Sequence, residues 1–311
     1  MAWEVDRADT RQRPRFDIYT RRSPDGGATW LPEALVGQAD YPSLLLDGDA
    51  RGRFWLMWPQ EASVSLIRSE DDGWTWSSPQ QITGNSFPVG GRPLARLGSD
   101  RLLMTWDDGR PFRRYRLGRI HASSSKDGGA TWGPIVHVDG LPAGAPTGAC
   151  CPFSALTSTG VAWVAWIDNR LGHDDVFVAR SADWGVTWDA PQRLNVDSPE
   201  TRESSRPKLA LSPDGRVVAV VWTNTVWVNT ENGLQTVYGR FFSTGRWSAE
   251  TRLSSPLPTR GPGPTLVTGP EIVYVDKDAF HVTWSISSRS SSPPQAKLDG
   301  VVVDVRSASR C

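Results

Sequence analysis

Apolar residues along this chain occur in short runs that end in tryptophan and are separated by polar turns. Four such runs cover residues 54–58, 102–106, 161–166 and 217–222. Short apolar runs bounded by turn residues predict β-strands. Each run follows a polar turn and an earlier apolar segment, so the pair predicts a hairpin. Because both members are too apolar to face water, we expect them to be the inner strands of packed sheets.

A third strand follows each hairpin, and its residues alternate between polar and apolar. The segment from Asp175 to Arg180 is an example, and a period of two residues is typical of a strand with one buried face. The fourth segment of each unit carries a proline, which edge strands tolerate. The sequence therefore predicts repeated four-stranded antiparallel sheets.

One eight-residue motif, S-x-D-x-G-x-T-W, recurs between the third and fourth strands, at residues 23–30, 69–76, 125–132 and 181–188. A degenerate copy ends at Trp247. A period of about 50 residues suits one propeller blade per repeat. We therefore predict an all-β, six-bladed β-propeller in a single domain, with incomplete first and last blades. The expected blades are residues 1–38, 39–85, 86–141, 142–200, 201–256 and 257–311.

Composition favours the same fold and narrows the range of partners. The chain has 16 Trp, 29 Gly and 24 Pro, which fits short strands and tight turns better than helices. Lys plus Arg equals Asp plus Glu at 34 each, so no net charge attracts nucleic acid or an anionic membrane. No apolar run is long enough to cross a bilayer. We expect a monomer without a metal or another cofactor.

The four motifs resemble the Asp-box, or bacterial neuraminidase repeat, of sialidase-like propellers. This resemblance implies an exo-glycosidase that removes terminal sialic acid or a similar anionic sugar from glycoconjugates by a retaining mechanism. It also implies a secreted or periplasmic protein, although the chain shows no signal peptide. Asp-boxes also occur in propellers that are not sialidases. The alternative is therefore a non-catalytic module that binds glycans or proteins.

Within each motif the aspartate is expected to serve the turn. Its carboxylate can accept backbone N–H bonds, and the last glycine can adopt a positive φ. The four aspartates fall on different blades, so they should not meet to bind a metal ion. Since these turns join strands three and four, a substrate site should lie at the opposite face, where strands two and three are joined.

Arginines recur at positions that map to that opposite face. Arg7, Arg110 and Arg170 follow the second strands together with aspartates. Two interpretations remain open: each arginine pairs with its own aspartate, or the arginines converge on an anion. Arg92 and Arg206 precede the prolines that open inner strands. An anionic ligand would compensate their charge.

The resemblance to sialidases assigns roles to these residues. An arginine clamp would bind the sugar carboxylate, and we assign Arg92, Arg206, Arg7, Arg110 and Arg170 to it. Tyr41 is the expected nucleophile, with Glu203 to activate it and Asp108 as acid/base. Tyr274 is an alternative nucleophile. The Arg-Ile-Pro segment of sialidases is absent from this sequence, so enzyme and binding module both remain open.

Three cysteines, Cys150, Cys151 and Cys311, do not form a disulfide framework. For the adjacent pair, two buried thiols, a vicinal disulfide and a reactive thiol are all open. The four histidines show no paired spacing, which disfavours a zinc site or a catalytic triad. The segment 173–175 could bind calcium weakly or only complete a loop.

Overall fold

The computed structural model of this chain contains β-strands and turns. It describes residues 1–7, 15–40, 44–60, 63–82, 92–96, 99–107, 118–142, 145, 148–196, 202–228, 233–259, 264–266, 269–276, 279–288 and 295–304. In this part of the chain no helix is long and apolar enough to cross a membrane.

The strands of the first three sheets follow one another along the sequence. The first sheet contains β1 (Ala2–Arg7), β2 (Arg15–Thr20) and β3 (Ala34–Ala39). The second contains β4 (Leu45–Gly48), β5 (Phe54–Pro59), β6 (Val64–Ser69) and β7 (Gln80–Gln81). The third contains β8 (Arg92–Arg96), β9 (Ser99–Asp107), β10 (Ile120–Ser125) and β11 (Val136–His137).

The same order continues in the C-terminal half. The fourth sheet contains β12 (Cys150–Leu156), β13 (Ala162–Asp168), β14 (Asp175–Ser181) and β15 (Gln192–Arg193). The fifth contains β16 (Arg202–Leu211), β17 (Val218–Trp227), β18 (Gly233–Ser243), β19 (Arg246–Trp247), β20 (Thr251–Arg252) and β21 (Leu257–Pro258). The sixth contains β22 (Pro264–Leu266), β23 (Glu271–Tyr274), β24 (Ala279–Ser288) and β25 (Gln295–Asp304).

Neighbouring strands in every sheet are antiparallel, and sequence order equals spatial order in sheets two to four. Within the described residues, β1 of the first sheet pairs only with β2. At the other edge of β1, where the other sheets have an inner strand, no strand of the described residues is paired. In the sixth sheet β22 and β23 pair with one edge of β24 and β25 with the other. The prediction of an all-β propeller of antiparallel sheets is confirmed.

Consecutive sheets pack through tryptophans of the second strands. Trp58, Trp106, Trp166 and Trp222 are each at most 2% exposed. Each core cluster joins two successive sheets, as where Trp166 packs with Leu103. Burying an aromatic ring removes about 150–250 Å² from water. This apolar packing fixes where the strand ends of one sheet lie against those of the next.

The four repeated turns form one hydrogen-bond pattern. In the turn at 125–132, the Oδ1 atom of Asp127 accepts the backbone N–H of Thr131 at 2.8 Å, and Oδ2 accepts its hydroxyl at 2.6 Å. Ser125 Oγ donates to Asp127 and accepts the N–H of Gly129. The expected positive φ values are found at Gly27, Gly73, Gly129 and Gly185. The aspartates therefore serve their own turns.

The fifth sheet replaces the repeated turn by a tight hairpin. Thr244 and Gly245 join β18 to β19 with φ values of 52° and 82°, as in a type I′ turn.

In the second sheet Trp55 Nε1 donates to the carbonyl of Gly128, in the turn of the next sheet, at 2.8 Å. Trp163 holds the same place in the fourth sheet, but its buried Nε1 has no hydrogen-bond partner among the described residues. A groove of about 1130 Å³ lies here, lined by Trp163 and Gly245.

The turn carboxylates predict acid sensitivity. Hydrogen bonds from Thr29 and Thr75 lower the pKa of Asp25 and Asp71 from 3.8 to about 2. A carboxyl group whose pKa is lower in the folded protein than in the unfolded chain stabilises the folded protein at pH values above its unfolded pKa. This stabilisation is lost as pH falls through the folded pKa. We expect the double change Asp25→Asn and Asp71→Asn to flatten the fall in melting temperature between pH 4 and pH 2. Thermal unfolding followed by circular dichroism measures this.

The matched control is Glu33→Gln, which removes an exposed carboxylate outside the turns. It should keep the parent's pH dependence. Parallel melting curves for the double variant and the parent throughout this range would contradict the role of the turns.

A second prediction concerns two turn glycines with positive φ. A Cβ at Gly185 would lie 2.5 Å from Leu103 Cδ1 in the buried core, whereas one at Gly26 would meet nothing within 4 Å. Gly26→Ala should cost about 1–2 kcal/mol, the cost of a left-handed conformation. Gly185→Ala should cost more because the core must also shift. Urea unfolding measures both, and equal losses would contradict close packing between the third and fourth sheets.

Candidate functional site

The candidate site lies at the end of the sheets opposite the repeated turns, which we call the loop face. On the fourth sheet the repeated turn joins β14 to β15, whereas residues 169–174 join β13 to β14 at the other end. Cys150 pairs with Ile167, so β12 starts at this other end. In the fifth sheet Glu203 pairs with Thr225 near the end of β17. The starts of both inner strands therefore belong to the loop face.

Carboxylates anchor the loop face of the third sheet. Asp107, at the end of β9 and fully buried, accepts the backbone N–H of Cys151 at 3.0 Å. Arg119 donates to both oxygens of Asp139, at 2.6 and 2.8 Å. Burial is the largest single influence and would raise the pKa of Asp139, but the hydrogen bonds and charge of Arg119, together with the backbone N–H groups of Leu141 and Ile120, lower it on balance. Asp139 is therefore an ionised structural partner.

Arg170 pairs with its own aspartate in the loop after β13. Its Nη2 lies 2.5 Å from Asp168 Oδ2, and its backbone N–H donates to Asp168 Oδ1 at 2.9 Å. The same Nη2 donates to the carbonyl of Asp139 at 3.0 Å, and the guanidinium lies over the Phe177 ring. These contacts match the first of the two interpretations of the arginines. Arg170 ties the fourth sheet to the third.

A polar network fixes the start of β14. Asp175 is buried, and its Oδ1 accepts from Asn195 at 2.6 Å and lies 3.1 Å from Arg193 Nη2. Its Oδ2 lies 3.4 Å from His173 Nδ1. These contacts hold the backbone on either side of Asp174.

Asp174 and Glu203 bring two carboxylates together where the fourth and fifth sheets meet. The carbonyl of Asp174 accepts the N–H of Ser204 at 2.9 Å, so the loop after β13 lies directly on the start of β16. Burial is the first cause that raises the pKa of Asp174, and the negative charge of Glu203 is the second. Asp174 thus holds its proton at higher pH than an ordinary aspartate.

The second carboxylate has a defined orientation. Glu203 is exposed, and its Oε2 accepts the indole N–H of Trp227 at 2.9 Å. Trp227, at the end of β17, is partly exposed. The Ser204 hydroxyl lies 2.6 Å from Asn224 Oδ1. The site therefore combines an acid with a raised pKa, an exposed carboxylate and an aromatic ring, a combination suited to a polar ligand with apolar faces.

The structure places the predicted site residues unevenly. Tyr41, Asp108 and Arg110 lie outside the described residues, and for Arg7, Arg92 and Arg206 it describes the backbone alone. Arg92, Arg206 and Arg7 lie on β8, β16 and β1. Glu203 and Arg170 are on the loop face, but Arg170 is paired.

Sequence reasoning did not single out Asp174, which it treated as part of a loop or a weak calcium site. The signal was three adjacent titratable residues after a second strand. Its meaning depends on contact with the next blade, which sequence spacing does not give. Among the described residues no three His, Cys, Asp or Glu side chains are grouped to hold a metal ion.

Comparison with known proteins shows the fold. No protein-family model and no curated protein matches the sequence. A polysaccharide lyase of family PL25, an ulvan lyase, is similar with a TM-score of 0.57 at 9% identity, covering 96% of this chain and 75% of the lyase. An α-L-arabinanase of Penicillium chrysogenum has a TM-score of 0.51 at 14% identity, covering 85% and 93%. A Dyadobacter fermentans protein of unknown function has a TM-score of 0.52 at 15% identity, covering 92% of this chain and 83% of that protein. Carbohydrate-active propellers are thus among its structural neighbours.

The raised pKa of Asp174 predicts how its removal changes stability. When a carboxyl group has a higher pKa in the folded protein than in the unfolded chain, it destabilises the folded protein as pH rises from the unfolded pKa through the folded pKa. We expect Asp174→Asn to be more stable relative to the parent at pH 7 than at pH 3.5. Thermal unfolding at both pH values measures the difference.

Asp214 supplies the control of opposite sign. Hydrogen bonds from Ser212 and the N–H of Arg216 lower its pKa. Asp214→Asn should therefore be less stable than the parent at pH 7, with the deficit shrinking as pH falls below 4. The same sign for both variants would contradict the assignment.

Proposed function

We propose that this protein is a carbohydrate-active propeller that hydrolyses glycosidic bonds at its loop face. The carboxylate pair Asp174 and Glu203 carries the proposal. Glycoside hydrolysis needs one carboxylic acid that protonates the leaving oxygen and a second carboxylate that supports attack at the anomeric carbon. The 2.9 Å bond from Ser204 N–H to the Asp174 carbonyl joins the segments that carry them.

Asp174 is suited to the acid role. Its pKa is raised by burial and by Glu203, so the protonated form persists closer to neutral pH. In this form it donates its proton to the glycosidic oxygen. After donating this proton Asp174 is an ionised carboxylate, and it can then act as a base that accepts the proton of an attacking water.

Glu203 supplies the negative charge. It is exposed, and its Oε2 is held by Trp227, so it can face the sugar ring. Positive charge develops on that ring in the transition state. The exposed part of Trp227 offers a flat surface for the apolar face of a sugar.

The structural neighbours support a glycan as the substrate. The arabinanase is described in complex with arabinobiose. Another structure of the ulvan lyase, with a TM-score of 0.55 at 10% identity, is described with a glucuronic acid and rhamnose 3-sulfate repeat. We extend glycan recognition to this chain as part of the proposal.

A finer hypothesis concerns a terminal anionic sugar such as sialic acid. In it Tyr41 is the nucleophile, activated by Glu203, and Asp108 is the acid/base. The carboxylate of the sugar is bound by the arginines of the proposed clamp, namely Arg7, Arg92, Arg110, Arg170 and Arg206. The pair formed by Arg170 and Asp168 weakens this hypothesis at one position, since Arg170 Nη2 already contacts Asp168 and the Asp139 carbonyl. A substrate panel separates the two forms.

The second candidate function is a glycan-binding module without catalysis. One observation favours it: the Arg170 guanidinium is paired with Asp168 and the Asp139 carbonyl instead of facing outward. Such a protein would bind glycans through Trp227 and the polar loop face but would leave the glycosidic bond intact.

The test is hydrolysis of fluorogenic sialosides, arabinofuranosides, glucuronides and polymeric ulvan. Asp174→Asn should lower kcat/KM by about 10²–10⁴, the usual contribution of an acid catalyst. The loss should be smaller for a dinitrophenyl glycoside, because its leaving group needs little protonation. Glu203→Gln should lower activity on both leaving groups.

The matched control is Asp189→Asn, an exposed aspartate that pairs with Arg180 beyond the repeated turn. It should retain parental activity. Release of sugar by Asp174→Asn at the parental rate would refute the acid role. Glycan binding by calorimetry without any turnover would favour the binding module.

A further inference from the structure

Cys150 and Cys151 lie side by side at the start of β12 on the loop face. Their Sγ atoms are 2.7 Å apart, Cys151 is exposed and Cys150 is partly exposed. Successive side chains of a regular strand point to opposite faces of the sheet. The approach of these sulfurs therefore requires a departure from strand geometry.

The backbone shows this departure at Cys151. Its φ is 61°, a value that non-glycine residues rarely adopt. The register of β12 against β13 shifts between Cys150 and Phe153, and such a bulge re-aims side chains. Asp107 Oδ2 accepts the Cys151 N–H at 3.0 Å and holds the peptide in place. The neighbouring blade thus supports the conformation that turns both thiols to one side.

We propose that Cys150 and Cys151 form a redox modification site that closes reversibly to a vicinal disulfide by exchange with a small disulfide such as oxidised glutathione. The thiolate of one cysteine attacks a sulfur of oxidised glutathione, forms a mixed disulfide and releases one glutathione thiolate. The second cysteine, as its thiolate, attacks the protein sulfur of the mixed disulfide and releases the second glutathione. Two protein thiols are oxidised and one glutathione disulfide is reduced.

The closed form should be easy to reduce. The Cα atoms of adjacent residues are about 3.8 Å apart across a trans peptide, whereas disulfides usually span about 4.4–6.8 Å. A strained, exposed bridge belongs to the labile and regulatory kind. A metal ion is a poorer occupant, because among the described residues the pair has no third ligand of the group that a metal needs.

The experiment uses the full chain carrying Cys311→Ser, so that Cys150 and Cys151 are the remaining cysteines of the protein. The folded protein is incubated with oxidised glutathione, quenched, unfolded and alkylated with iodoacetamide before intact mass is measured. The expected product is about 2 Da lighter than the reduced chain, through loss of two hydrogens, and carries no alkyl group. Excess reduced glutathione should restore two alkylation sites.

Two comparisons make the result decisive. Cys150→Ser and Cys151→Ser should each retain one glutathione as a mixed disulfide, because the resolving thiol is missing. The same chain unfolded in urea should close about tenfold more slowly, since the native backbone brings the sulfurs together. Two stable mixed disulfides on the folded protein, two thiols that remain alkylatable, or equal closure rates in the folded and unfolded chain would each overturn the proposal.

Discussion

Apolar packing between consecutive sheets is the constraint on which the rest of this structure depends. The second strands of sheets two to five each carry a tryptophan that is buried in a core shared with a neighbouring sheet, as Trp106 and Trp222 are. Because the cores of adjacent sheets are shared, the ends of their strands are brought into register across the interface. Polar groups at those ends can then bond from one sheet to the next. The repeated turns complete the opposite end without using any group of the loop face.

The loop face shows what this register makes available. Asp107 accepts a bond from the start of the fourth sheet, and Asp174 provides the carbonyl that meets the start of the fifth. Three carboxylates here pair with arginines: Asp139 with Arg119, Asp168 with Arg170 and Asp175 with Arg193. The pKa of Asp174 is shifted the opposite way from that of Asp139: it is raised, by burial and by the charge of Glu203. The interface between the fourth and fifth sheets therefore holds a carboxyl group with a raised pKa, whereas Asp139 beside the third sheet has a lowered one.

The sequence was sufficient for the repeated features and insufficient for contacts between repeats. Tryptophan-ended runs and the S-x-D-x-G-x-T-W motif predicted strands, turns and the positive φ of Gly129 and its counterparts, because each is determined within a few residues. The pairing of Arg170 with Asp168 was one of two interpretations, and local spacing could not choose between them. The contact between Asp174 and the Glu203 segment depends on how two blades meet. For the same reason adjacency of Cys150 and Cys151 in sequence did not reveal that a bulge turns both sulfurs to one side. Tyr41, Asp108 and Arg110 remain predictions.

The hairpin of the fifth sheet makes the interface between the fourth and fifth sheets different from that between the second and third. Where Trp55 reaches a carbonyl of the next sheet, Trp163 instead packs against the rings of Phe242 and Trp247. Aromatic pairs accept several offset and edge-to-face arrangements, whereas an indole hydrogen bond specifies a narrower range of alignments. Polar bonds cross this interface elsewhere: the Ser204 N–H donates to the Asp174 carbonyl at 2.9 Å, and Trp247 Nε1 donates to Gln192 Oε1 at 3.1 Å. Asp174 and Glu203 belong to segments that meet at the far end of the same interface, so the spacing of their segments is set by these few polar bonds and ring contacts and not by a repeated turn of the fifth sheet.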